Sequence, residues 1–290
     1  MASPPAHVLD LFAVPDLATP LPGGQGESVQ VGDLVLSPGR DADVQAWLSP
    51  VLARFAYELD LSPSRRGFRV AMPVPARDGE WVVDGWAASR YEPGTTTCHD
   101  LDVVLAAGRL LHARLASLVG ARPAAVAART DRWATAERLA FAPSRAVVAP
   151  TTGPTPDAAT LAHHATDHPV VAGLVAELAT TDPADLGPNQ LVHADLAGNV
   201  LIDGAGAAVV IDLAPAWRPQ RWAEAVCVLD SVLWHGAPPA VLEDWTSGVE
   251  RQAMLRAVLF RVLSDRPVRP RPYEAVLTAL GRPAPRNVPR

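Results

Sequence analysis

The chain has 290 residues, 49% of them hydrophobic and 19% charged, which fits a soluble globular protein of roughly two domains or lobes. Its 25 basic residues stand against 31 acidic ones, a net charge of −6, which excludes nucleic-acid binding through bulk positive charge. All of the basic residues are arginine, so no lysine chemistry is available.

The first 20 residues hold neither a basic leader region nor a long apolar core, and no uncharged apolar run reaches the roughly 18 residues of a membrane span. The expectation is a cytoplasmic protein that contacts no membrane. Val29 to Val31 and Leu34 to Leu36 flank Gly32-Asp33, a two-residue hairpin turn pattern. From Asp41 to Leu59, apolar residues recur at helical spacing (Val44, Leu48, Val51, Leu52, Phe55), with Pro50 inside the run. Arg69 to Pro75 and Glu80 to Trp86 are expected to form a second hairpin across Ala76–Gly79. This first part therefore predicts a small, mostly antiparallel sheet with one helix.

Beyond Pro93-Gly94 the pattern turns helical. Thr97-Cys98-His99-Asp100 fits a capping box before a helix that carries Leu101, Val104, Leu105, Leu111, Leu115 and Leu118. Cys98 and Cys227 lack metal-type or redox-type spacing and read as two buried apolar side chains. Ala149 to Asp157 reads as a loop. His163-His164-x-x-Asp167-His168 reads as a polar loop rather than a metal cluster, because Pro169 disfavours helix at His168. A short helix over Val170 to Ala179 precedes a strand-rich island, Leu191 to Leu213. Helices follow over Trp222 to Trp234 and Leu242 to Leu263, and the Pro/Arg-rich tail from Gly281 is expected to fray.

The island carries the chemistry. Val200 to Asp203 and Ala207 to Leu213 are two strands around Gly204-Ala205-Gly206, so residues whose numbers sum to about 410 face each other. That register sets Asn199 opposite Ile211 and Asp212. Asp195 and His193 lie just before, so two carboxylates, an amide oxygen and an imidazole gather in one region. Hard oxygen ligands of this kind suit Mg²⁺, which completes its shell with phosphates and water.

The string His193-x-Asp195-x-x-x-x-Asn199, followed after a short hairpin by Ile211-Asp212-Leu213, resembles the catalytic signature of the aminoglycoside phosphotransferase and choline kinase group. The resemblance implies an α+β, two-lobed protein-kinase-like fold. Residues 1–94 would be a nucleotide-binding lobe ending in a hinge, and residues 95–290 a helical lobe with the catalytic loop and substrate site. It implies Asp195 as the base that accepts a substrate hydroxyl proton, His193 as support for the loop, and Asn199 and Asp212 as Mg²⁺ ligands. ATP would be the phosphate donor and a small molecule the acceptor. Pro22-Gly23-Gly24-Gln25-Gly26 resembles the glycine-rich phosphate loop, with Gly23, Gly24 and Gly26 as its members, and Trp86 to Gly94 resembles the hinge beside which adenine would bind.

The chain departs from that group where its strand lysine should stand. The strand Leu34-Val35-Leu36 ends in Ser37, and the helix positions where a partner glutamate would lie hold Gln45 and Ala46. Arg40 is the nearest cation that could take the lysine's place on the phosphates, with Arg65, Arg66 and Arg69 further off. Trp217 and Trp222 belong either to the acceptor site or to aromatic packing, and Glu224 and Asp230 are possible anchors on the next helix. Three functions follow: a phosphotransferase acting on a small-molecule hydroxyl; a catalytically weak or inactive pseudokinase, a nucleotide-binding or scaffold module; or, as a weaker option, a protein that keeps the metal site but binds the nucleotide in a changed orientation and transfers a different part of it.

Overall fold

The computed structural model describes residues 3–21, 27–61, 67–142 and 156–281. The short helix α1 (Ala6–Leu11) precedes strands β1 (Ala18–Pro20), β2 (Val29–Val31) and β3 (Leu34–Ser37), and then the long helix α2 (Ala42–Leu61). Four strands follow: β4 (Phe68–Val70), β5 (Pro73–Val74), β6 (Ala87–Arg90) and β7 (Thr96–Thr97). The expected hairpin joins β2 and β3, with Val29 opposite Leu36 and Val31 opposite Leu34. Alternation then directs Val29, Val31 and Leu36 inward, onto Val8, Leu9 and Phe12 of the α1 segment and Trp86. These strands form a five-stranded antiparallel sheet in the order β1-β2-β3-β6-β5.

The second predicted hairpin is corrected. A turn does form, with Ala76 N donating to the Glu80 carbonyl at 2.8 Å, but Pro73 and Val74 of β5 pair with Ser89 and Ala88 of β6. The tight turn sits instead at Asp84-Gly85, both at positive φ, where Val83 and Trp86 exchange backbone hydrogen bonds. An Asp-Gly pair supplies that conformation at low cost, and it outcompetes the longer turn. The segment read as a hinge is therefore strand up to Arg90, and only Pro93-Gly94 turns. Strand β4 also leaves the five-stranded sheet: Phe68 and Val70 pair in parallel with Ala208 and Val210, which buries both among the apolar residues of the island.

Ten α-helices are described. α3 (Leu101–Leu118), α4 (Ala124–Ala128), α5 (Arg132–Phe141), α6 (Pro156–Asp167) and α7 (Pro169–Leu178) precede strand β8 (Asn189–His193). The hairpin β9 (Val200–Ile202) and β10 (Ala208–Val210), strand β11 (Pro215–Pro219), and helices α8 (Gln220–Trp234), α9 (Gly248–Ser264) and α10 (Glu274–Gly281) complete the order. The cap of α3 is Asp100 itself, accepting from the N–H groups of Asp102 and Val103, because Thr97 is spent in β7 and no capping box forms. His163 and His164 lie within α6, not in a loop, and the helix ends at Asp167 before Pro169. The helix expected over 242–263 is divided into a 3₁₀ segment, Pro239–Trp245, and α9. Gly281 ends α10, and the rest of the predicted tail (282–290), the glycine-rich segment 22–26 and most of the predicted 149–157 loop lie outside the described residues.

Two cores position the island. One joins α5, α7, α8 and α9, with Trp222 fully buried and edge-on to both Phe141 (5.7 Å) and Phe260 (5.3 Å). Trp222 is thus packing, not acceptor site. The other places Leu48, Leu52 and Phe55 of α2 against Phe68, Leu111, Leu115, Val200 and Val210, so α2 supports the β9–β10 hairpin directly. Both cysteines are buried and free. No described helix is long and apolar enough to cross a membrane.

Candidate active site

The hairpin register is the expected one. Ala208, Val209 and Val210 pair with Ile202, Leu201 and Val200, and beyond the ladder Ile211 N donates to the Asn199 carbonyl at 3.0 Å. Asn199 and Asp212 therefore emerge together at the open end, where the loop from β8 arrives. Asp212 follows β10 in a left-handed conformation (φ 48°), which turns the chain away from the ladder.

His193 ends β8 fully buried. Its Nδ1 accepts from Asp195 N at 3.1 Å, and its Nε2 lies 3.3 Å from the Ile211 carbonyl, so the ring proton belongs on Nε2. Burial holds this imidazole below its ordinary pKa, although Asp195 and Asp212 pull it upward. The ring therefore links the loop after β8 to the end of β10. It is itself braced from behind: His193 N donates to His112 Nε2 at 3.1 Å. Burial and the neighbouring His193 push His112 down to about 3, so it too stays neutral. His112 Nδ1 is buried with no hydrogen-bond partner among the described residues.

Asp195 is half exposed. Asn199 Nδ2 donates to its carbonyl at 2.6 Å and lies 3.5 Å from Oδ2, which locks the loop and leaves the amide oxygen of Asn199 as the atom able to bind a cation. Oδ1 of Asp195 accepts from Arg261 at 2.6 Å. Arg261, on α9, also gives its Nε to Asp230 at 2.9 Å, while its terminal nitrogen donates to Asp230 and, at 3.3 Å, to the Ala194 carbonyl. Burial pushes Asp230 up to about 6, against the pull of the Arg261 charge.

Arg40 reaches the same place from the loop after β3. Its backbone N–H is tied to the Gly85 carbonyl at 2.9 Å, and its guanidinium lies 2.5 Å from Asp212 Oδ1. Burial alone would raise the Asp212 carboxyl; the charge and hydrogen bond of Arg40 more than reverse this and hold it below the usual carboxylate range. Ser37 is not part of the cluster: its hydroxyl bonds Ser28 at 2.9 Å. Arg69 is occupied by Asp203 (2.7 Å) and Glu92 (3.3 Å). Gly23, Gly24 and Gly26 lie outside the described residues, as do Arg65 and Arg66.

The donor set fits Mg²⁺ in kind: an ionised carboxylate from Asp212 and an amide oxygen from Asn199, both hard. Among the described residues no three His, Cys, Asp or Glu side chains group as a metal site, so an ion held here would take its remaining ligands from phosphates and water.

Sequence reasoning missed Arg261 and His112. Arg261 left a partial signal: two arginines, Arg256 and Arg261, interrupt the apolar run from Met254 to Leu263, and each needs buried acceptors, which are the Ala140 carbonyl and Thr181 hydroxyl for Arg256 and carboxylates for Arg261. His112 left none, because a lone histidine on a helix face is ordinary. Two glycines were also unread. A Cβ on Gly108 of α3 would lie 2.4 Å from Leu196 Cδ2, and one on Gly198 (φ 80°) would lie 2.6 Å from the His235 ring. Both keep space around the 193–199 loop.

No protein-family model matches the sequence, and no curated protein matches it. Solved structures do match the fold. An aminoglycoside phosphotransferase from Alicyclobacillus acidocaldarius superposes with a TM-score of 0.51 at 15% identity, over 96% of this chain and 91% of that one. The AMP-bound complex of a spectinomycin phosphotransferase gives 0.52 at 12% identity, over 94% and 90%. The chain thus has the two-lobed, kinase-like α+β fold of these proteins.

Proposed function

We propose that this protein is a nucleotide-dependent phosphotransferase that acts on a hydroxyl of a small molecule. One observation carries the reading: Asp195, Asn199 and Asp212 converge at the open end of one hairpin, with Arg40 laid against them from the N-terminal sheet. Asp195 is the half-exposed carboxylate that receives the acceptor proton. Its Oδ2 is the oxygen for this task, because Oδ1 is held by Arg261. His193 keeps the loop in place through the Asp195 N–H and carries no charge. Asn199 and Asp212 would hold Mg²⁺, which when bound shields the charge of the transferring phosphoryl group. Arg40 stands where a strand lysine would otherwise serve, and its fork of N–H donors suits phosphate oxygens. The glycine-rich segment 22–26 is the expected cover over those phosphates.

A second reading, nucleotide binding without transfer, is favoured by the same Arg261 contact, since a carboxylate already paired to arginine is a weakened base. ATP consumption by the full chain across a panel of hydroxyl acceptors separates the two. A phosphotransferase consumes ATP with at least one acceptor, and Asp195→Asn lowers that rate by about 10²- to 10⁴-fold with little change in ADP affinity. Binding of ADP with no turnover on any acceptor leaves the second reading; absence of nucleotide binding removes both.

A further inference from the structure

Asp212 does not face the cleft as a bare carboxylate. Its partner Arg40 is fixed at the backbone by Gly85, and the two side chains are 22% and 40% exposed, so the pair is open to an arriving ligand. Asp195 is paired with Arg261, whose charge it shares with Asp230. Asp212, matched one to one by Arg40, therefore presents no unopposed negative charge. This matters for a polyphosphate, which an uncompensated carboxylate repels and which a divalent cation ordinarily reconciles with that carboxylate. Here a guanidinium attached to the chain already performs the reconciliation. Only one of its N–H groups is needed for Asp212 Oδ1, and the others remain for phosphate oxygens.

We propose that Arg40 is a built-in counter-cation of the phosphate site, so that this protein binds nucleoside di- and triphosphates without requiring Mg²⁺. The inference rests on the nucleotide site argued above and concerns the affinity step alone. The metal then adds little to binding, whatever it contributes to transfer.

The test is calorimetric titration of the full chain with ADP, once in EDTA and once in excess Mg²⁺. The native protein should give dissociation constants within about threefold of each other. Arg40→Gln should raise the metal-free constant about tenfold or more, the loss of one charge-assisted contact plus the exposure of Asp212, and should raise the Mg²⁺ value less. Arg40→Lys keeps the charge and should hold the metal-free constant nearer the native value than Arg40→Gln does. Arg40→Gln/Asp212→Asn should recover part of the metal-free affinity, because the carboxylate left bare is gone. Native protein that binds ADP only with Mg²⁺, or an Arg40→Gln variant with unchanged metal-free affinity, overturns the proposal and leaves the nucleotide site standing. No ADP binding in either buffer overturns that site and the proposal together.

Discussion

Arg261 carries two carboxylates at once, and the two depend on it differently. Asp195 is half exposed and can turn to water, whereas Asp230 is almost fully buried and has Arg261 as its ionic partner. Removing the guanidinium therefore costs chiefly through Asp230. Arg261→Ala should lose about 3–5 kcal/mol in urea denaturation, the penalty for a buried charge left without its partner. Arg261→Met/Asp230→Asn removes the charge on both sides and should recover most of that stability. If the double variant is as unstable as the single one, the cost lies in packing around α9 and not in the orphaned carboxylate.

Helix α3 shows how an element serves the site without contributing a reacting atom. It gives up helix propensity at Gly108, about 1 kcal/mol against alanine, so that Leu196 of the 193–199 loop can lie directly on its backbone. One turn further on, the same helix presents His112 to the backbone of His193. Gly108→Ala should gain propensity and still lose stability, by about 1–3 kcal/mol net, because the new methyl occupies the Leu196 side chain's volume. Leu196→Ala in the same chain should relieve the collision. A Gly108→Ala melting temperature at or above the native one would show that the loop has room to shift. Helix α2 serves similarly, burying Leu48, Leu52 and Phe55 against the hairpin while Asp41 caps its first turn at 3.0 Å.

The molecule as a whole is built around two neutral histidines, and this sets its response to acid. Unfolded histidines take up protons below about pH 6.5, whereas the folded protein holds His112 and His193 neutral. The unfolded state then binds more protons, so stability is complete above pH 6.5 and falls as pH drops, at up to about 1.4 kcal/mol per pH unit for each ring. Asp230 works in the opposite sense: raised to about 6, it takes a proton in the folded state first and offsets part of the loss below that pH. Urea denaturation at pH 8, 7 and 6 should show flat stability between 8 and 7 and a decline towards 6. His112→Gln, whose amide oxygen can still accept from His193, should shallow that decline. A native profile flat to pH 6 would mean that the two rings become charged in the folded protein.

The sequence determined the local chemistry of this protein. The β2–β3 turn, the 410-sum register of β9 and β10, and the convergence of Asp195, Asn199 and Asp212 all follow from residues a few positions apart, where turn conformation and strand alternation leave one answer. The pairing of β4 with β10, the bracing of His193 by His112 and the grip of Arg261 on Asp195 were decided only in the tertiary structure. Those contacts join segments 66 to about 140 residues apart, and no local preference distinguishes one distant partner from another. Arg40 lies between the two cases. Its nearness to Ser37 made it the expected stand-in for a strand lysine, but only the tertiary structure set its guanidinium on Asp212.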